Sequence, residues 1–261
     1  MKAGEERAGA MKLDVLLTRG ELMPGDIARR TVVVIDVLRA SSTIVEALAA
    51  GARALYPVAE IEEALRLANT LGRDEVLLCG ERRALPIEGF DLGNSPGDFT
   101  PERVGGKLLV MTTTNGTGAA IAASAAERVL VGSWLNLAAV VDDLARTGAE
   151  PIFLCAGREN RFGLEDAVCA GTMAAALMER LDPDTDWELN DGAMAALAMA
   201  LRYPDPDELL RETQAGKQLV EAGLREDLAF CALTDRHDVV PVFHDRQVTL
   251  AAPAPAAAAE S

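Results

Sequence analysis

An α/β fold, with a mixed, mostly parallel central sheet flanked by helices, follows from three features of the sequence. Short apolar runs rich in β-branched residues recur along the chain. The clearest, Val32 to Ile35, lacks polar alternation and so reads as a strand buried on both faces. Between the runs lie segments with helical spacing, and several runs end in a polar turn that opens straight into a helix. Strand, turn, helix in repetition is the pattern of βα units.

Residues 1–10 read as a disordered tail, 11–250 as a single α/β domain, and 251–261 as a disordered Ala/Pro tail. Leu13 to Thr18 is the first predicted strand, followed by a loop around Pro24-Gly25. Thr31 to Gly51 is the stretch around which the chain is organised. Its strand closes at Asp36, and Arg39, Ser41, Ser42 and Thr43 follow within a short turn. Thr43 with Glu46 predicts a capping box, Ile44 and Leu48 share a helical face, and Gly51 ends the helix.

Ala54 to Val58 is the next predicted strand. Over 60–71, Ile61, Ala64, Leu65, Ala68 and Leu71 line one helical face before Gly72. Strands are expected at Val76 to Cys79, Lys107 to Met111, Val129 to Val131, Ile152 to Leu154 and Val239 to Phe243. Leu137, Val140, Val141 and Leu144 mark a helix stopped by Gly148. Helices are also expected from Leu164 to about Leu181, over 190–201 and over 206–222, while Asp227 to Ala232 fits helix or strand. VLLCGER (76–82) echoes IFLCAGR (152–158), a hint of internal duplication.

Forty-one acidic against 25 basic residues give a net charge of −16, which disfavours nucleic acid and anionic membranes as partners. No apolar run approaches the roughly 20 residues of a membrane span, and the charged first residues do not resemble a secretory signal. Cys79, Cys155, Cys169 and Cys231 lie far apart with no C-x-x-C pair, the usage of a reducing cytoplasm. A homodimer is the expected assembly. Against this acidic background, Arg39, Arg82, Arg83, Arg158 and Arg161 all follow predicted strands. They suit a small anionic ligand, or pairing with neighbouring acids.

Ligands of open α/β sheets sit beyond the carboxyl ends of the strands. Four turns there carry chemistry beyond what a turn needs: Asp36 to Thr43, the long loop Gly80 to Asp98, Thr112 to Thr117, and Cys155 to Asp166. Hydroxyls and helix starts suit phosphate oxygens, and guanidinium forks suit phosphate or sulfonate. Carboxylates without clustered His or Cys suit Mg²⁺. Together these point to a Mg²⁺-dependent phosphatase.

Rival chemistries fit less well. Leu38 stands where an aspartyl-phosphate phosphatase of the haloacid dehalogenase type needs a second Asp. Cys155 and Arg161 have cysteine-phosphatase spacing, but Phe162 occupies the expected hydroxyl position. An isochorismatase-like hydrolase would use Asp36, Lys107 and Cys155, yet would leave the long loop and the threonine turn unexplained. A non-catalytic small-anion-binding protein is a further alternative.

The motifs IDVLRASSTI, GERRALPIEGFDLGNSP, TTTNGT, CAG…RFGLEDAVCAG and DLAFCALTDRHDVVPV resemble, in order over roughly residues 12 to 245, those of the 2-phosphosulfolactate phosphatase family. The resemblance implies an α/β hydrolase that needs Mg²⁺ and converts 2-phospho-3-sulfolactate to 3-sulfolactate, in some organisms a step toward coenzyme M. Gln214 departs from the Ser that the family tends to show near Gly216. On this reading Asp36, Glu81, Asp91, Glu165 and Asp166 are candidates for metal binding, with Asp36, Glu165 and Asp166 also catalytic. Ser41, Ser42, Thr43, Thr113, Thr114, Asn115 and Gly116 would cradle phosphate. Arg39, Arg83 and Arg161 would receive sulfonate and carboxylate. His237 and His244 read as surface or strand-end residues.

Overall fold

A computed structural model describes residues 10–159 and 161–251; the two predicted tails fall almost wholly outside this range. In chain order the elements are β1 (Met11–Leu16), α1 (Pro24–Ile27), β2 (Thr31–Ile35), α2 (Ala40–Ala49), β3 (Ala54–Pro57) and α3 (Ile61–Leu71). There follow β4 (Val76–Arg82), β5 (Leu85–Pro86), α4 (Pro101–Val104), β6 (Leu108–Thr112), α5 (Gly116–Ala122), β7 (Arg128–Gly132), α6 (Leu137–Thr147) and β8 (Pro151–Cys155). The chain continues through α7 (Leu164–Arg180), β9 (Trp187–Leu189), α8 (Asp191–Arg202), α9 (Pro206–Glu212), α10 (Gln214–Glu221) and α11 (Glu226–Cys231), and the β10 (Pro241–His244) and β11 (Gln247–Leu250) hairpin follows.

Among the described residues, eleven strands form one sheet in the order β5-β4-β6-β3-β11-β10-β7-β2-β8-β1-β9. Six of the ten pairings are parallel and four antiparallel, so the expected mixed, mostly parallel sheet holds. All five β2 residues are buried, as a strand covered on both faces requires. Val33 and Ile35 pack in one core with Phe153 and Trp134, whereas Val32 and Val34 pack in a second core with Leu109 and Met111. Side chains alternate between the two faces of a strand, so one apolar run feeds both cores.

The β10–β11 hairpin joins two parallel blocks, β3-β6-β4 on one side and β7-β2-β8-β1 on the other. Three successive antiparallel pairings separate them, so the blocks run in opposite directions. At the usual twist, the five strand steps from β6 to β2 accumulate roughly 100–125°, which offsets much of that reversal. Counted outward from the hairpin, β4 and β8 hold matching positions; Cys79 lies opposite Met111, one residue before the end of β6, and Cys155 opposite Ile35, the last of β2.

Several predicted boundaries shift. The first strand is Met11–Leu16, two residues earlier than the apolar run suggested, because Met11 to Leu13 pair with β9. The expected helix over 206–222 is two helices broken at Thr213, whose extended backbone lets its hydroxyl accept the Gly216 N–H. A side chain at Gly216 would meet the Leu210 carbonyl at 1.7 Å, so the tight break depends on that glycine. Asp227 to Ala232 resolves as helix. Leu65 is 45% exposed, so the buried stripe of α3 centres on Ala64 and Ala68. The short strands β5, β9 and β11 had no sequence signal beyond two to four residues each.

Candidate active site

The β2 turn is built around Asp36. Its Oδ1 accepts the Ala40 N–H at 3.2 Å and its carbonyl accepts the Ser41 N–H at 2.8 Å. Asp36 thus satisfies the first turn of α2, and the helix begins at Ala40, ahead of the predicted Thr43–Glu46 capping box. This overturns the role expected for the hydroxyls. Ser41, Ser42 and Thr43 lie inside the helix, fully buried, and donate to the carbonyls of Val34, Val37 and Asn94. They serve the fold and do not line the site.

The β6 turn behaves differently. Here the helix starts later, at Gly116, so Thr113, Thr114 and Asn115 precede it and face the site. The Thr114 N–H donates to Glu81 Oε1 at 2.7 Å, while the Ala84 N–H donates to Glu81 Oε2 at 2.8 Å. Glu81 therefore ties the long loop to the threonine turn. Gly116 has a packing role in place of the expected ligand contact. A Cβ there would stand 2.4 Å from that of Ala40 and 2.7 Å from Asp36 Oδ2, so only glycine lets α5 close against Asp36.

The third wall comes from the β8–α7 connection. Asp166 accepts N–H bonds from Val37 at 2.8 Å and Gly157 at 3.0 Å, pinning the ends of β2 and β8 together. Glu165, beside it, faces the site. The main chains of Arg158 and Arg161 exchange two hydrogen bonds of 2.8 Å, forming a tight loop that brings Arg158 into the site and leaves Arg161 exposed outside it. Arg158 replaces Arg161 as the arginine of this turn.

These walls enclose a cavity of about 210 Å³ lined by Asp36, Glu81, Glu165 and Asp166, by the Thr113 turn, and by Arg83 and Arg158. Asp91 stands apart, held by the Arg73 guanidinium and the Leu78 N–H, and so drops out of the metal-ligand candidates. Arg39 reaches the cavity wall, but its fork is committed to Asp227 at 2.7 Å, Ser95 at 3.1 Å and the Ala84 carbonyl at 2.8 Å. A buried, paired guanidinium of this kind organises a site more than it binds a guest.

The acids perturb one another. Burial pushes Asp36 up from its ordinary 3.8 to about 7; the Ala40 N–H opposes this, and Glu81 and Glu165 reinforce it. Glu165 is raised by burial and held back by Arg158. Asp166 is raised well above the usual carboxylate range by burial, then by Glu165 and Asp36. Buried carboxylates that repel one another are the environment in which a proton or a cation is taken up. Cys155, by contrast, is fully buried, and burial pushes its thiol well up, so it is no nucleophile. Lys107 spends its ammonium on the Asp74 carbonyl, just before β6 and remote from the site. The isochorismatase-like arrangement of Asp36, Lys107 and Cys155 does not form.

The donor set of the cavity, oxygen only and anionic, suits Mg²⁺. Among the described residues no three His, Cys, Asp or Glu side chains stand as a preformed ligand cluster. Mg²⁺ often rests on one or two carboxylates, with water and substrate oxygens completing its shell, and Glu81 at the cavity wall would meet that need. Two further residues of the cavity, Asn94 and Gln218, were not among the sequence candidates. Asn94 lies in the long loop that the motifs mark; Gln218 on α10 carries no local signal.

Among the described residues, no helix is long and apolar enough to cross a membrane. A sequence model of the family described as 2-phosphosulpholactate phosphatase matches residues 17–246. A "Probable 2-phosphosulfolactate phosphatase" of Caldanaerobacter subterraneus subsp. tengcongensis is 38% identical over 232 residues, 88% of this chain and 95% of that protein. Proteins of the same description from Symbiobacterium thermophilum and Clostridium novyi are 42% and 36% identical, covering 86% and 92% of this chain and 96% and 100% of their own lengths. The chain belongs to the 2-phosphosulpholactate phosphatase family.

Proposed function

We propose that this protein is a phosphoric monoester hydrolase that converts 2-phospho-3-sulfolactate and water to 3-sulfolactate and phosphate, in a Mg²⁺-dependent reaction. Family membership supports the substrate. The observation that carries the chemistry is the meeting of Asp36, Glu81 and Glu165 with the Thr113–Asn115 turn and Arg158 in one cavity. Mg²⁺, when bound, neutralises phosphoryl charge and lowers the pKa of water.

The protein's own groups supply the rest. Thr113, Thr114 and Asn115 receive phosphoryl oxygens, and Arg83 and Arg158 balance the remaining negative charge. Asp36, made more basic by burial, takes a proton from the attacking water. As water adds to phosphorus the ester P–O bond breaks, and Glu165, biased by burial toward its protonated form, returns a proton to the leaving alkoxide. Asp166 positions: its two main-chain hydrogen bonds hold the β2 and β8 ends at working distance.

A panel of phosphorylated 2-hydroxy acids, assayed for phosphate release with and without EDTA, tests this reading. The expected outcome is Mg²⁺-restored turnover, best on the sulfonated substrate. Stoichiometric binding without phosphate release would mean an anion-binding protein instead. We also assign the protein to the cytoplasm, in keeping with four buried free cysteines, and to a homodimer, for which Met194 and Leu201, exposed on α8, offer an apolar surface. Sedimentation tests the latter.

A further inference from the structure

We infer that Asp227, which does not line the cavity, is a positioning residue: through Arg39 it holds the Arg83–Ala84 turn, and with it Arg83 and Glu81, against the site. The inference rests on the phosphatase reading above. Arg82 pairs with Leu85 across the β4–β5 hairpin, so Arg83 and Ala84 form a two-residue turn. Both have positive φ, 53° and 71°, in a turn that ordinarily takes Asn and Gly. Residues with a Cβ keep that conformation only where their surroundings enforce it.

Side chains engage both main-chain polar groups of Ala84. Its N–H donates to Glu81 Oε2 at 2.8 Å, and its carbonyl accepts from Arg39 Nη2 at 2.8 Å. Nη1 of the same guanidinium donates to Asp227 Oδ2 at 2.7 Å, and the Ser95 hydroxyl donates to that oxygen at 2.8 Å. Arg39 and Asp227 are 4% and 7% exposed, so salt and water screen the pair little. A continuous run of hydrogen bonds therefore leads from Asp227 through Arg39, Ala84 and Glu81 to the Thr114 N–H. Arg83, next to Ala84, lines the cavity. Farther along the segment that opens at Asp227, Arg236 Nε and His237 Nε2 lie 3.1 and 2.6 Å from Glu46 Oε2 on α2. That segment is thus fixed to α2 at two points. It gives the cavity no side chain, yet it decides where Arg39 points.

The test measures phosphate release from 2-phosphosulfolactate, melting temperature and trypsin cleavage after Arg83 in wild type, Asp227→Ala and Asp227→Ala/Ala84→Gly. Asp227→Ala is expected to lower kcat/KM by about 10- to 100-fold, the effect of misplacing groups without removing them. Cleavage after Arg83, mapped by mass, should quicken about tenfold as the freed turn opens locally. Glycine adopts positive φ without a clamp, so the double variant should regain about threefold or more of the lost activity. Undiminished activity in Asp227→Ala would overturn the inference. So would a loss with unchanged cleavage and no recovery by glycine, which would assign Asp227 to the fold alone. If Asp227→Ala does not fold, Arg39→Met/Asp227→Leu replaces the buried pair with apolar side chains and is expected to melt near wild type. Cleavage after Arg83 at the wild-type rate in that variant overturns the inference. If wild type hydrolyses no ester, the phosphatase reading falls. The clamp then stands if Asp227→Ala still quickens cleavage after Arg83, and falls if the rate is unchanged.

Discussion

The turns after β2 and β6 share a run of three hydroxyl residues and put it to opposite uses. Each follows a buried strand, each carries three consecutive hydroxyl residues, and each opens into a helix. After β2 the helix starts before the hydroxyls, because Asp36 satisfies its first N–H groups, and Ser41, Ser42 and Thr43 are drawn inside. After β6 the helix starts behind them, and Thr113 and Thr114 face the cavity. A few residues' difference in where a helix begins decides whether a hydroxyl holds the fold or meets a ligand. One turn contributes the acid, the other the cradle.

If this division is right, Asp36→Asn should abolish phosphate release, with a loss of about 1,000-fold in kcat and little change in melting temperature, since removing a general base costs 10²–10⁴. A variant retaining a tenth of the wild-type rate would break the assignment of the acid to the β2 turn. Acidity should then separate the turns without mutation. Asp36 works deprotonated, so kcat should rise with pH on the acidic side and then level off. The stability sign is the reverse. An acid whose pKa is raised on folding stabilises the fold fully below its ordinary 3.8, and that contribution disappears as pH climbs through about 7. Urea titrations at pH 5 and 8 without Mg²⁺ check it, and equal midpoints would contradict it.

Smaller effects sharpen the contrast. Thr114→Val, on the cavity side, should lower kcat/KM by about tenfold with an unchanged melting temperature. Ser42→Ala, whose hydroxyl donates to the Val37 carbonyl at 2.9 Å, should do the converse: about 1 kcal/mol less stability and wild-type kinetics. A kinetic defect in Ser42→Ala exceeding that of Thr114→Val would reverse the roles given to the two turns.

Much of this was legible in the sequence, for reasons that also mark the limits. The Val32–Ile35 run specified a strand buried on both faces because its residues supply two cores at once. Asp36, Glu81 and Thr113 could be named because each lies at the end of a strand, and Glu165 because it opens the helix after one; strand ends gather in an α/β sheet. The register of side chains within a turn could not be read. Arg161 was a reasonable choice until the Arg158–Arg161 main-chain pairing directed it outward. Asp91 was available until Arg73 and the Leu78 N–H claimed it. Gln218 reaches the cavity only through the break at Thr213, which a continuous amphipathic pattern over 206–222 conceals.

The position of the β10–β11 hairpin has a consequence for how the chain is made. It is the last part of the sheet to leave the ribosome, yet it is the splice between the two blocks whose turns share the cavity. Until residues 241–250 arrive, β3 and β7 present bare edges, the kind of surface on which chains pair wrongly. Pairing of this hairpin is therefore the step that unites acid and cradle, and a nascent chain halted before residue 241 has neither a continuous sheet nor the two blocks joined.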